Sequence, residues 1–252
     1  MQTSTLAMPS NSELRRIRLR YLARQVILNR SQQGVAYELL YRGGRESSAI
    51  ITAGEDASQE TLDSSIIIGL DVICGDRIAY LNCTRELLLR EDLRLLPPHR
   101  VMLEILEYVT PDLEVLQACR ELKELGFRIA LDDFVPTAES RKFLPYADVL
   151  KVDVRSTTAQ QRQEIVNEFY GRFILLAEKV ETEEEFEAAR IAGFDLFQGY
   201  YFGRPELFCA EHVSAERLQG LRMADAMGRA LSVSVSVPLP LSLSPQMELA
   251  VK

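Results

Sequence analysis

An α/β chain closed into a (β/α)8 barrel is the fold this sequence predicts, on three observations. A hairpin opens the chain and six further strands follow it, most with a helix behind them, which makes the eight strands that close a barrel. The 252 residues are the usual length of one such barrel. Polar residues stand at almost every strand end, and no Gly-rich phosphate loop follows the first strand, which speaks against the main rival, an open doubly wound sheet.

The elements are read in order. Residues 1–20 form a polar lead-in that ends in the basic stretch Arg15-Arg16-Ile17-Arg18-Leu19-Arg20, a solvated edge by default. Tyr21 to Leu28 and Val35 to Tyr41 are rich in β-branched and aromatic residues. The turn formers Asn29 to Gly34 between them predict a hairpin. Ile78 to Asn82 is a strand ahead of a helical Thr84 to Arg90. Val101 to Leu106 precedes the helix Asp112 to Leu125, whose expected apolar face is Leu113, Leu116, Ala118 and Leu122. Later strands are Arg128 to Asp132, Val149 to Val154, Phe173 to Glu178 and Leu196 to Phe202. Helices over Thr158 to Tyr170 and Glu183 to Ala192, and a shorter connection over Thr137 to Leu144, separate them. Gly126 and Gly193 follow two of the helices, where a left-handed cap is wanted. The repeat is read as stopping past Pro205. The barrel domain is therefore assigned to residues 21–206, and residues 207–252 to an amphipathic helix over Ser214 to Leu231 and a Ser/Val/Pro tail.

Composition narrows the function. An apolar share of 47% and a charged share of 26% are those of a globular chain, and a net charge of −8 argues against a DNA or RNA polymer as partner, since phosphate backbones demand clustered Lys and Arg. Four cysteines without a CxxC pair and only two histidines argue against a zinc site or a disulfide framework, and predict reduced, buried thiols. With no membrane-length apolar run, and no basic segment leading into an apolar one at the amino terminus, the expected location is the cytoplasm.

The informative stretch is Arg128-Ile-Ala-Leu-Asp-Asp-Phe134, a buried strand ending in two adjacent carboxylates. Such charges require compensation, and a divalent metal, an Arg or Lys neighbour, or solvent at the strand end each supplies it. Taken strand by strand, the polar residues are Glu38, Asn82, Glu104, Asp132 with Asp133, Lys151, Glu178 and Gln198. In a parallel barrel all these ends meet on one face. Carboxylates with an amide carbonyl suit a hard cation, Mg2+ or Mn2+. A pair of such ions about 3.5–4 Å apart is the usual device at a phosphodiester. Asp132 is placed to bridge two ions, and Lys151 to hold the attacking water or help deprotonate it.

These segments resemble the EAL domains, bacterial phosphodiesterases of cyclic di-GMP, over roughly Tyr21 to Pro205. The resemblance is carried by Tyr37-Glu-Leu-Leu-Tyr-Arg42, Leu81-Asn-Cys-Thr84, Leu103-Glu-Ile-Leu-Glu107, Leu131-Asp-Asp-Phe134, Lys151-Val-Asp153, Ala177-Glu-Lys-Val-Glu-Thr182 and Gln198-Gly-Tyr200. Within the superfamily, Ala23-Arg-Gln25 and Asn82-Cys-Thr-Arg-Glu-Leu87 are most similar to the EAL half of EAL–HDOD proteins, although too little chain follows Pro205 for an HDOD domain. The resemblance implies an EAL-type barrel whose first strand runs antiparallel. It implies metal contacts from Glu38, Asn82, Glu104, Asp132 and Asp133, with Glu178 near the second ion. Lys151 would hold the catalytic water and Gln198 would join the same network, with Glu107 and Glu181 as supporting carboxylates. Arg42 and Leu40 would meet the substrate, and a homodimer is compatible with it.

Three departures are visible. Leu39 stands for the alanine of the EAL triplet, Lys179 for the glycine of A-E-G-V-E-T, and Asp133-Phe-Val-Pro-Thr-Ala-Glu-Ser140 for a Gly-rich loop. Val135 resists the positive φ that glycine permits, and Pro136 removes a donor. The retained ligands imply metal-dependent hydrolysis of cyclic di-GMP to linear pGpG. The changed loop leaves open a degenerate domain acting as a cyclic di-GMP receptor or protein-interaction module.

Overall fold

Eight strands close a barrel of mixed orientation in the computed structural model. The model describes residues 19–42, 58, 61–62 and 69–211, and only the backbone of 19–21, 41–42 and 208–211. The strands are β1 (Leu19–Asn29), β2 (Gly34–Arg42), β3 (Ile78–Cys83), β4 (Val101–Ile105), β5 (Arg128–Leu131), β6 (Val149–Asp153), β7 (Ile174–Glu178) and β8 (Leu196–Phe197). Pairing from β2 to β8 is parallel. The ring closes through β1, antiparallel to both β2 and β8. The expected antiparallel first strand is therefore present, set by the hairpin turn in which Asn29 Oδ1 accepts from the backbone N–H of Ser31 and Gln33.

The helices are α1 (Leu70–Cys74), α2 (Arg85–Leu88), α3 (Leu113–Glu124), α4 (Ala159–Phe169) and α5 (Glu183–Ala192). Asp112, Thr158 and Thr182 cap the last three by accepting N–H bonds from Val115, Gln161 and Glu185. On α3 the apolar face turns out to be Val115, Ala118, Cys119 and Leu122, while Leu113 is 87% exposed. Leu113 stands two residues, about 200° of rotation, before Val115 and so points away from the stripe that meets β5. The thiols of Cys74, Cys83 and Cys119 are free and buried, and burial pushes those of Cys74 and Cys119 up to about 11 and about 12.

Two expectations differ from what is found. The strand expected over Leu196 to Phe202 ends at Phe197, because Gly199 turns the chain against the Val180 backbone. A Cβ there would lie 2.0 Å from the Val180 carbonyl oxygen, so only glycine fits. Past Pro205 comes a strand that was not expected, β9 (Glu206–Glu211), which runs antiparallel to Leu19–Arg24 of β1. β1 overhangs the barrel, meeting β8 only at Leu28 and Asn29, and its free edge takes β9. The basic stretch 15–18, the helix expected over 214–231 and the tail after it lie outside the described residues. No helix among the described residues is long and apolar enough to cross a membrane.

Candidate active site

Strand geometry assembles the site. Successive side chains alternate sides, so residues i and i+2 look the same way. The barrel interior is plugged by Ile27, Ala36, Tyr80, Met102, Ala130, Val149 and Leu176, with Leu196 packed against them. Two residues past each plug residue on the parallel strands stand Glu38, Asn82, Glu104, Asp132, Lys151, Glu178 and Gln198. On antiparallel β1 the same step runs backwards, from Ile27 to Gln25. The apolar plug thus carries a polar ring at its carboxyl-end mouth, to which every strand contributes.

The ring is bonded across the barrel. Both oxygens of Glu38 accept amide hydrogens, one from Asn82 Nδ2 at 3.2 Å and one from Gln198 Nε2 at 2.6 Å. Gln198 Nε2 also donates to Gln25 Oε1 at 3.2 Å. Lys151, 1% exposed, pairs its ammonium with Glu104, with Asp132 Oδ1 at 2.9 Å and with Glu178 Oε1 at 2.7 Å. An ammonium has three donors, and here three carboxylates take them.

The electrostatics are those of a buried, over-acidic cluster. Burial holds the Glu104 and Glu178 carboxyls well above the usual range despite the Lys151 ammonium beside them. Asp132 is held below its usual value: burial opposes this, but the Lys151 charge and hydrogen bonds within the cluster outweigh it. Burial also opposes the charge on Lys151, yet Asp132, Glu104 and Glu178 keep it protonated well above the ordinary lysine range. Lys151 is therefore an ammonium that donates.

Four buried oxygens of the ring, Asn82 Oδ1, Glu104 Oε2, Glu178 Oε2 and Gln198 Oε1, have no hydrogen-bond partner among the described residues. Buried acceptors left without donors are costly, and a cation is the partner that suits acceptors alone. Glu104, Asp132 and Glu178 each offer an oxygen within 4.8 Å of the others. Glu107, Asp132 and Asp133 form a second such group that shares Asp132. These donor sets are all oxygen, which fits a hard divalent cation.

The other expected residues fall into place unevenly. Asp133 pairs with Lys179, whose Nζ is 3.1 Å from each of its oxygens and 2.6 Å from Asp153 Oδ2. Glu107 is exposed in the turn after β4, within reach of Asp132 and Asp133. Glu181 does not join the ring, because its carboxylate is engaged by Arg155 at the rim. Leu40 is half-buried opposite Ala23, and the Arg42 side chain lies outside the described residues. Val135 keeps a negative φ. The positive-φ non-glycine residues beside the site are instead Asp133 (φ 40) and Lys179 (φ 58). Two participants, Gln25 and Asp153, stand in stretches that carry the resemblance but are given no role there. Gln25 needed the reversed counting on β1, and Asp153 needed only the i, i+2 step from Lys151.

Comparison with known proteins agrees with this architecture. The EAL domain family model matches residues 82–205. YuxH of Bacillus subtilis is 36% identical over 201 residues, covering 77% of this chain and 49% of its own. Cyclic di-GMP phosphodiesterase CdgJ of Vibrio cholerae is 35% identical over 213 residues, covering 81% of this chain and 48% of its own. The chain thus spans about half the length of these curated relatives. Among solved structures, the manganese and cyclic di-GMP complex of Klebsiella pneumoniae BlrP1 superposes with a TM-score of 0.61 at 25% identity, covering 75% of this chain and 56% of that one. The barrel, the polar ring and these matches together identify an EAL domain in this chain, with residues 82–205 matched by the family model.

Proposed function

We propose that this chain hydrolyses cyclic di-GMP to linear pGpG in bacterial second-messenger signalling, with Mg2+ or Mn2+ as cofactor. The observation that carries the reading is the set of four buried acceptor oxygens without partners among the described residues, two of them on Glu104 and Glu178, which share the Lys151 ammonium with Asp132, and two on the amides that hold Glu38. Support also comes from relatives: CdgJ is named for this activity, and BlrP1 was crystallised with manganese and the cyclic dinucleotide.

Glu38, Asn82, Glu104, Asp132 and Glu178 would hold the cation, which when bound supplies charge neutralisation at the phosphodiester and activation of a water. The protein's own groups do the rest. The amides of Asn82 and Gln198 fix the Glu38 carboxylate in one orientation, so its oxygens need no reorganisation during reaction. Lys151, held among Glu104, Asp132 and Glu178, is placed to supply positive charge to the water and to the phosphoryl oxygens as negative charge develops there. Arg42, ending β2, is assigned to a substrate phosphate oxygen by charge-assisted hydrogen bonding, with Leu40 beside it.

The test is chromatography of cyclic di-GMP incubated with the pure protein and Mn2+ or Mg2+. Linear product that disappears with chelator and in Lys151→Ala is the expected result. Nucleotide bound without any linear product, with either ion, would overturn hydrolysis in favour of a receptor. The changed loop over Val135 and Pro136 and the engagement of Asp133 by Lys179 are what favour that second reading.

A further inference from the structure

Lys179 stands where the resemblance places a glycine, and the backbone keeps a glycine's shape there, with φ 58. A non-glycine residue adopts this conformation only when its surroundings hold it, and here three charged contacts do so. Its Nζ meets both oxygens of Asp133 at 3.1 Å and Asp153 Oδ2 at 2.6 Å. Asp133 is itself left-handed, at φ 40. Asp153 is fixed from behind, its Oδ1 accepting the N–H groups of Arg155 at 2.7 Å and Ser156 at 3.1 Å. Asp133 and Asp153 are thus two strand-end carboxylates, 20 residues apart in sequence, tied by one ammonium.

The mouth holds two groups of carboxylate oxygens that share Asp132, one with Glu104 and Glu178 and one with Glu107 and Asp133. Each group is engaged by an ammonium. Lys151 sits within the first, and Lys179 takes both oxygens of Asp133 in the second. We propose that Lys179 is a tethered cation that occupies the place of a second divalent ion, so that this site takes one divalent ion where Proposed function leaves the number open. A dication on the Asp133 oxygens, at about 2.0–2.2 Å, would stand within about 5 Å of Nζ and in competition with it. Repulsion at that range weakens binding of the second ion by about ten-fold or more. The inference rests on the metal-dependent reading and concerns the number of ions that reading requires.

The experiment counts Mn2+ bound per chain, by equilibrium titration with electron paramagnetic resonance of the free ion, in the full chain and two variants. Lys179→Gly restores the residue that the backbone favours, so folding is not at risk. Lys179→Met keeps the side-chain length and the φ but removes the charge. One ion on the wild type and two on both variants is the expected result, the second binding at least about ten-fold tighter than any second ion on the wild type. Two ions on the wild type with the variants' affinities would overturn the proposal, as would one ion on all three proteins, and in both cases the metal-dependent function would stand. A second ion gained by Lys179→Gly but not by Lys179→Met would also overturn it, since backbone shape and not charge would then be responsible. No ion on any of the three would remove the metal-dependent reading itself, and this inference with it.

Discussion

Two lysines, 28 residues apart, hold the acids at the barrel mouth, and they do so under opposite conditions. Lys151 rises from the middle of β6, is 1% exposed and meets three carboxylates inside the ring. Lys179 follows β7 in a left-handed turn, its side chain is 50% exposed, and it meets two carboxylates on the rim. The same ion-pair chemistry therefore has different weight. Inside, an unmatched charge has no water to turn to, whereas at the rim solvent replaces most of what a lost partner gave. The contrast shows why the inner lysine is inseparable from the fold while the outer one can be exchanged to adjust the site.

The largest effect expected from breaking this contrast is at Lys151. Replacing it with alanine leaves Glu104 and Glu178 buried without their counter-charge, and stability should fall by about 3–5 kcal/mol, read from urea midpoints. A loss under about 1 kcal/mol would mean that the acids simply take up protons, and that the interior tolerates them as the rim does. Gly199→Ala tests the turn that joins the two regions. Val180, next to Lys179, donates its N–H to the Gln198 carbonyl at 3.0 Å, and a Cβ at Gly199 drives into that same backbone. The expected loss is about 3 kcal/mol, with Gln198 displaced from Glu38. Unchanged stability would show that the two loops are not locked together.

Lys179→Met should cost no more than about 1 kcal/mol, because half-exposed pairs contribute little. The smallest expected effect is on the acid limb of stability. The Asp153 carboxyl is held below its ordinary value of 3.8: burial works against this, and the Lys179 ammonium with the Arg155 and Ser156 N–H groups prevails. A depressed carboxyl adds stability that is complete above its ordinary value and vanishes as pH falls through the folded one. In Lys179→Met the depression is smaller, so the stability lost as pH falls from the ordinary value through the folded one should be smaller than in the wild type, and the two proteins should converge on acidification. Superimposable urea midpoints between about pH 3 and pH 5 in the two proteins would rule out any linkage through Lys179.

Most of the frame can be read directly from the chain, because it depends on local periodicity. The α5 span Glu183–Ala192 and the polar residue two steps past each plug residue follow from helix and strand repeats alone. Where the reading erred, the cause was not local. Strand β8 ends early because Gly199 must clear Val180, and β9 exists because β1 overhangs its neighbours. Gln25 joins the ring only once the direction of β1 is known, since the outward step then runs toward lower residue numbers.

What the sequence determined by itself is which residues reach the mouth, because the two-residue strand repeat sends Glu38, Asn82, Glu104, Asp132, Lys151, Glu178 and Gln198 one step beyond the plug. It also left open whether metal, a basic neighbour or solvent compensates the Asp132–Asp133 pair. Only the tertiary structure decided how those two aspartates divide. Asp132 turns inward to Lys151 and Asp133, at φ 40, turns to Lys179. The physical reason is that ion pairing depends on distances across the barrel between β5, β6 and the turn after β7, and no linear spacing encodes those distances.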